Sequence, residues 1–146
     1  MTSHLTSPTC GALSRAFTLS PTPQSVPGGR KWVRQLLDRW DLGEIKWRAE
    51  LLVTELIANA IKHAQTGGAP VTVLVMYAAG TLRIEVRDRD TDNLPVRRRS
   101  TPEDENGHGL LLVETYSDRW NVRLNERNKT VWADLDTPSR LKAGAR

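Results

Sequence analysis

Three clusters in this chain carry residue types that can do chemistry. The first is Glu55, Asn59, Lys62 and His63. Glu55 and Asn59 stand at i and i+4, which sets a carboxylate beside an amide oxygen on one helix face. Such a pair can hold a hard cation and a nearby hydroxyl or water. The bland alternative is a solvated helix face, although Asn is a mediocre helix former with no packing reason to sit mid-helix. The second cluster is Asp88, Asp90 and Asp92. Read as a calcium loop starting at Asp88, it puts Asn93 where Gly is needed and Arg99 where a bidentate Glu is needed. Two readings stay open: a strand-end carboxylate that accepts a hydrogen bond from a ligand base, and an Asp-rich turn. The third cluster is Gly107-His108-Gly109-Leu110 at the mouth of a helix. Glycine lets backbone N–H groups approach a phosphate, and a helix N-terminus adds unpaired donors and positive partial charge. The alternative is a flexible glycine loop. No Gly-Lys-Ser/Thr follows, so it is not a Walker loop, and the spacing and context of a Rossmann fingerprint are missing.

The elements that must position these clusters can be read from periodicity. Residues 1–14, rich in Ser, Thr and Pro, read as a tail, and 15–19 as a short edge strand. Pro21, Pro23, Pro27, Gly28 and Gly29 interrupt regular structure. Trp32, Val33, Leu36, Leu37 and Trp40 recur at helical spacing, which predicts a helix from about Gly29 to Trp40. A second helix is expected from Glu44 to Ala64, ended by Gly67-Gly68. On its wheel Val53, Leu56, Ile57, Ala60, Ile61 and Ala64 share one arc, and Glu55, Asn59, Lys62 and His63 form a separate stripe. Residues 71–77 and 81–86 read as strands joined by a tight turn at Ala79-Gly80. A long polar loop over 88–108 is of the kind that is usually functional. A short helix from Gly109 to Tyr116 follows, and then a hairpin of 120–124 with 130–135 around residues 126–129. The tail after Pro138 is expected to fray. Short turns make neighbouring strands antiparallel, and helices on one face of such a sheet give an α+β, two-layer α/β sandwich.

Taken in order, the clusters resemble the motifs of the GHKL (gyrase, chaperone and histidine-kinase-like) ATPase superfamily. Glu55-Leu-Ile-Ala-Asn59-Ala-Ile-Lys62-His63-Ala64 resembles the first motif, Val86-Arg-Asp88 the second, and Gly107-His108-Gly109-Leu110 the phosphate-binding glycine motif. Thr130-Val-Trp132-Ala resembles the closing strand, where a Thr sits near the nucleotide. The order and spacing match across residues 30–136. With no further domain, the chain is most similar to the stand-alone anti-sigma-factor serine/threonine kinases and their actinobacterial relatives.

The resemblance implies the Bergerat, histidine-kinase-like ATPase fold, with ATP and Mg²⁺ as cofactors. It implies Asn59 as the Mg²⁺ ligand and Glu55 as the group that orients or deprotonates the attacking hydroxyl. Asp88 would accept from the adenine amino group. Gly107, His108, Gly109 and Leu110 would carry the phosphates, with Thr130 nearby. Lys62 would approach the phosphates or face solvent, and His63 lies at the edge of the apolar arc. Arg97, Arg98 and Arg99 fall in the loop that covers the nucleotide in such folds. The implied activity is phosphorylation of an anti-sigma-factor antagonist, sequestration of a sigma factor, or both. A homodimer is left open. Asp90 and Asp92 stand where the family often has glycines. The alternative function is therefore a non-catalytic interaction module of the same fold, with weak or no ATP turnover.

Composition narrows the class. The chain has 146 residues, enough for one domain with a real core. No stretch approaches the roughly 20 apolar residues of a membrane span. Residues 1–17 lack the apolar core of a signal peptide, and the lone Cys10 excludes an internal disulfide framework, so a cytoplasmic location is expected. A net charge of +4 and a pI near 9.6 invite a nucleic-acid reading. The excess lies in the first forty residues, where Arg15, Arg30, Lys31, Arg34 and Arg39 face only Asp38. No recognition motif or basic face with interleaved aromatics accompanies it, so no specific nucleic-acid partner is expected.

Overall fold

Where apolar residues recur every third or fourth position the chain coils, and where they alternate it extends. The computed structural model describes residues 12–63, 68–89 and 106–138. In chain order the elements are β1 Leu13–Leu19, α1 Ser25–Arg39, α2 Lys46–His63, β2 Val71–Ala78, β3 Thr81–Asp88, α3 Asn106–Tyr116, β4 Arg119–Leu124 and β5 Lys129–Asp136. A single 3-10 turn, Gly43–Ile45, leads into α2. The strands form one sheet of order β1-β2-β3-β5-β4, and each pairing is antiparallel. This is the expected α+β sandwich. No helix among the described residues is long and apolar enough to cross a membrane.

The sheet has two unlike faces. Val73 and Val75 of β2, Ile84 and Val86 of β3, and Val131, Ala133 and Leu135 of β5 are buried in the same core as Val33, Leu36 and Leu37 of α1. α2 supplies Leu52, Val53, Leu56, Ile57 and Ala60 to that core. Strand alternation sends the intervening residues to the far face. There the Arg83 guanidinium donates to both carboxylate oxygens of Asp134, at 2.7 and 3.0 Å. It also lies 3.9 Å from the centre of the Trp132 ring. The β2–β3 turn takes positive φ at both Ala79 (φ 51°) and Gly80 (φ 79°), the demand of a type I′ hairpin.

Several boundaries differ from expectation. α1 starts at Ser25 rather than near Gly29, so Pro27, Gly28 and Gly29 lie inside it. Pro27 falls in the first turn, where its missing N–H has no intrahelical acceptor to lose. Gly29 is buried because two elements crowd it: a Cβ there would meet Ile57 Cδ1 at 2.5 Å and Leu19 Cδ1 at 3.3 Å. Gly29→Val is expected to destabilise the fold by about 1–3 kcal/mol through overpacking, read from a denaturant midpoint. β3 runs two residues past Val86 and takes in Asp88, while α3 begins at Asn106 rather than Gly109. Most of the expected N-terminal tail, the Arg97–Arg99 run, Asp90, Asp92 and residues 139–146 lie outside the described residues.

Candidate functional site

α2 packs directly on β3, β5 and α3, so the elements bearing the three clusters adjoin one another. On α2, Leu56, Ile57 and Ala60 are buried, while Glu55 and Asn59 are half-buried beside them and Lys62 is exposed. Burial pushes the Glu55 carboxyl above the usual carboxylate range, because the charged form loses water. The side chain of His63 lies outside the described residues.

Asn59 is the odd member of the helix. Its Nδ2 is shielded from solvent and has no hydrogen-bond partner among the described residues. Leaving such a donor unmet costs about 1–3 kcal/mol, and native proteins do so rarely. Rotating the amide exchanges Nδ2 for Oδ1. The same position can therefore offer a donor to an anion or an oxygen to a hard cation. Among the described residues no three of His, Cys, Asp and Glu group together as metal ligands. A cation beside Asn59 would draw its other oxygens from waters and from a bound ligand, which is how Mg²⁺ is usually held.

Asp88 ends β3 with only 2% of its surface exposed. Its direct partner in register on β5 is Lys129, which has no exposed surface. Lys129 Nζ lies 3.5 Å from Asp88 Oδ2. Lysine is almost never buried unless paired, and here the pair is an ion pair across two strands. This is the residue that sequence reading missed, since it placed Lys129 in the hairpin turn. A signal was present: two residues apart, Lys129, Val131, Ala133 and Leu135 share one strand face. The same alternation puts Thr130 on the opposite face from Asp88, in register with Arg87 and Arg123. Thr130 is thus not brought onto the face that Asp88 shares.

Gly107 and His108 fall in the first turn of α3, where backbone N–H groups have no intrahelical acceptor. Gly109 follows within the helix, and Leu110 is buried. An open groove of about 400 Å³ lies where α3 gives way to β4, lined by Glu114, Ser117, Asp118, Arg119, Trp120 and Asn121. None of the sequence-identified residues lines it.

The arrangement thus combines an unmet amide, a half-buried carboxylate, a strand-end carboxylate and a glycine-led helix start. The family described as histidine kinase-like ATPase domain matches residues 19–135. Among solved structures, that of the RsbU and RsbW domains of Rv1364c from Mycobacterium tuberculosis matches with a TM-score of 0.63 and 17% identity. The match covers 84% of this chain and 32% of that one, so this chain spans about a third of its neighbour's length. At that identity the likeness speaks to the fold. No curated protein matches.

Proposed function

Since the chain belongs to the histidine kinase-like ATPase domain family, we propose that it binds ATP with Mg²⁺ and passes the terminal phosphoryl group to a serine or threonine of a partner protein. The observation that carries this reading is the amide of Asn59, whose shielded Nδ2 has no hydrogen-bond partner among the described residues, four residues after a half-buried carboxylate. Asn59 would hold Mg²⁺ through its amide oxygen. When bound, Mg²⁺ would supply positive charge that offsets the negative charge developing on the transferred phosphoryl group. Glu55 would orient the attacking hydroxyl and accept its proton, and its raised carboxyl suits a general base better than an ordinary one. Asp88 would accept from the adenine amino group. Gly107, His108 and Gly109 would offer backbone N–H groups to the phosphates, with Leu110 packing beneath them. Lys62, exposed on α2, would screen phosphate charge from the rim.

The partner of this reading is an anti-sigma-factor antagonist as phosphoryl acceptor, a sigma factor as a sequestered protein, or both. A domain named RsbW in the neighbouring structure has the same fold, which supports the reading at the level of architecture. Asp90 and Asp92, where the family often has glycines, favour a second reading: the same nucleotide fold used as an interaction module with weak turnover. Calorimetry tests the shared premise. ATP is expected to bind at least about tenfold more tightly with Mg²⁺ than without, a difference of roughly 1.4 kcal/mol. No heat of binding at millimolar ATP would end the nucleotide reading.

A further inference from the structure

The sheet ends in two edge strands, β1 and β4. An exposed edge invites pairing with another strand, and charge placed along it is a common guard. β1 is guarded in this way. Arg15 stands between Leu13 and Phe17 on its core-side face, in register with Val75. On β4 the charges are drawn away from the edge. Arg123 reaches across β5 to Glu85 of β3, at 3.1 Å, and Arg119 is tied to Asp134 and Asp136 of β5.

The backbone of β4 is laid out for a further strand. Across the β4–β5 turn the Asn125 N–H donates to the Asn128 carbonyl, at 3.0 Å. Antiparallel partners alternate between bonded and unbonded pairs. Counting back from Asn125, Arg123 and Asn121 bond to β5, while Leu124, Val122 and Trp120 turn their backbone groups outward. The Val122 N–H accordingly donates to a side chain, Asn121 Oδ1, at 2.8 Å. The same three residues share the core-side face, in register with Lys129, Val131 and Ala133. Trp120 and Val122 are half-buried against the core, and Leu124 is 47% exposed. Trp120 also lines the groove of about 400 Å³ between α3 and β4. One edge thus combines an apolar stripe with outward backbone donors and acceptors.

We propose that β4 pairs antiparallel with β4 of a second copy of this chain, about a twofold axis at Val122, joining two five-stranded sheets into one. Charge selects that register. An axis at Asn121 sets Arg119 against Arg123 of the partner subunit, and an axis at Arg123 sets two copies of Arg123 against each other. Like charges directly opposite are destabilising. An axis at Val122 sets Asn121 against Arg123 of the partner subunit, and Val122 against its own copy. It sets Trp120 against Leu124 of the partner subunit, at the edge of the groove. The Val122 N–H then passes from Asn121 to the Val122 carbonyl of the partner subunit. A six-residue strand buries less than the roughly 1,000 Å² of a stable interface, so the two copies exchange readily. The inference does not depend on the nucleotide reading.

Sedimentation of the full chain tests it. From about 10 µM to about 1 mM the mass is expected to rise from 16.4 kDa toward twice that value, as a weak dimer requires. Wild type that stays monomeric at the top of that range overturns the proposal. Leu124→Glu, at an exposed position, is expected to raise the dissociation constant by at least about tenfold, because each copy contributes one Trp120–Leu124 pair. A folded Leu124→Glu that dimerises like wild type overturns the proposal, since the interface then lies elsewhere. Should Leu124→Glu fail to fold, a short bifunctional maleimide decides, applied to Val122→Cys and to Thr18→Cys on β1, each in a Cys10→Ser background. Cross-linked dimer is expected from position 122 and not from position 18. The reverse result, or none from position 122, overturns the proposal.

Discussion

Glu55→Gln is expected to leave ATP affinity within about threefold of wild type while phosphoryl transfer falls by about 10²–10⁴-fold, the usual worth of a positioned general base. The substitution keeps the shape and removes the capacity to accept a proton. Transfer is read from labelled ATP to a serine-bearing partner, or from ATP hydrolysis where water is the acceptor. A variant with full turnover would strip Glu55 of the role assigned to it. A second readout follows from the buried carboxyl, whose proton is held to higher pH in the folded chain than in the unfolded one. The folded state therefore binds more protons across that window, and stability falls as pH rises through it. Gln carries no such penalty. The variant should melt above wild type at neutral pH, and the gap should close as pH drops below the ordinary glutamate range. Gain of stability with loss of turnover is the signature of a residue kept for chemistry.

Asn59→Ala is the second large effect. Affinity for ATP in the presence of Mg²⁺ is expected to fall on the order of 100-fold, at the upper end of what disturbing a metal site's support costs. Affinity without Mg²⁺ should change little, so the cation dependence itself disappears. The free protein should be at least as stable as wild type, because the variant deletes a buried donor that has no partner among the described residues. Alanine also favours helix more than asparagine does. Titrations with and without Mg²⁺, beside a thermal melt, check all three. Unchanged Mg²⁺ dependence would remove Asn59 from the cation site.

Local pattern carried some of this and long-range pairing carried the rest. The α2 arc of Val53, Leu56, Ile57 and Ala60 is visible because helical period is a property of neighbours in sequence. The same wheel separates Glu55 and Asn59 from the core, and the structure keeps them half-buried at its edge. The β2–β3 hairpin was equally legible from alternation and the Ala79-Gly80 turn. Lys129 was not legible in that way. A lysine after Asn128 looks like turn composition, and its burial depends on register with Asp88, far earlier in the chain. The same pairing extends β3 through Asp88, beyond where local preference ended it. The start of α1 escaped because Pro27 and two glycines read as breakers. In the fold, Pro27 takes a position where its missing donor costs nothing, and Gly29 is needed for close contact with α2. Thr130 shows the converse case: a motif places a residue along the chain, while strand parity decides which face it joins.

The register of β3 with β5 has a consequence for how such a chain can change over generations. The polypeptide leaves the sheet after Asp88, returns to it at its edge as β4, and turns back into β5, which starts directly opposite Asp88 at Lys129. The two ends of the segment between β3 and β5, which carries α3 and β4, thus meet in one ion pair. Lengthening a flexible loop is inexpensive, about 0.6 kcal/mol for each doubling, because closure entropy grows only with the logarithm of length. Insertions between β3 and α3 are expected to leave the pairing of β3 with β5 in register. That segment is a place where lineages can diverge in partner and timing while the sheet beneath stays in step.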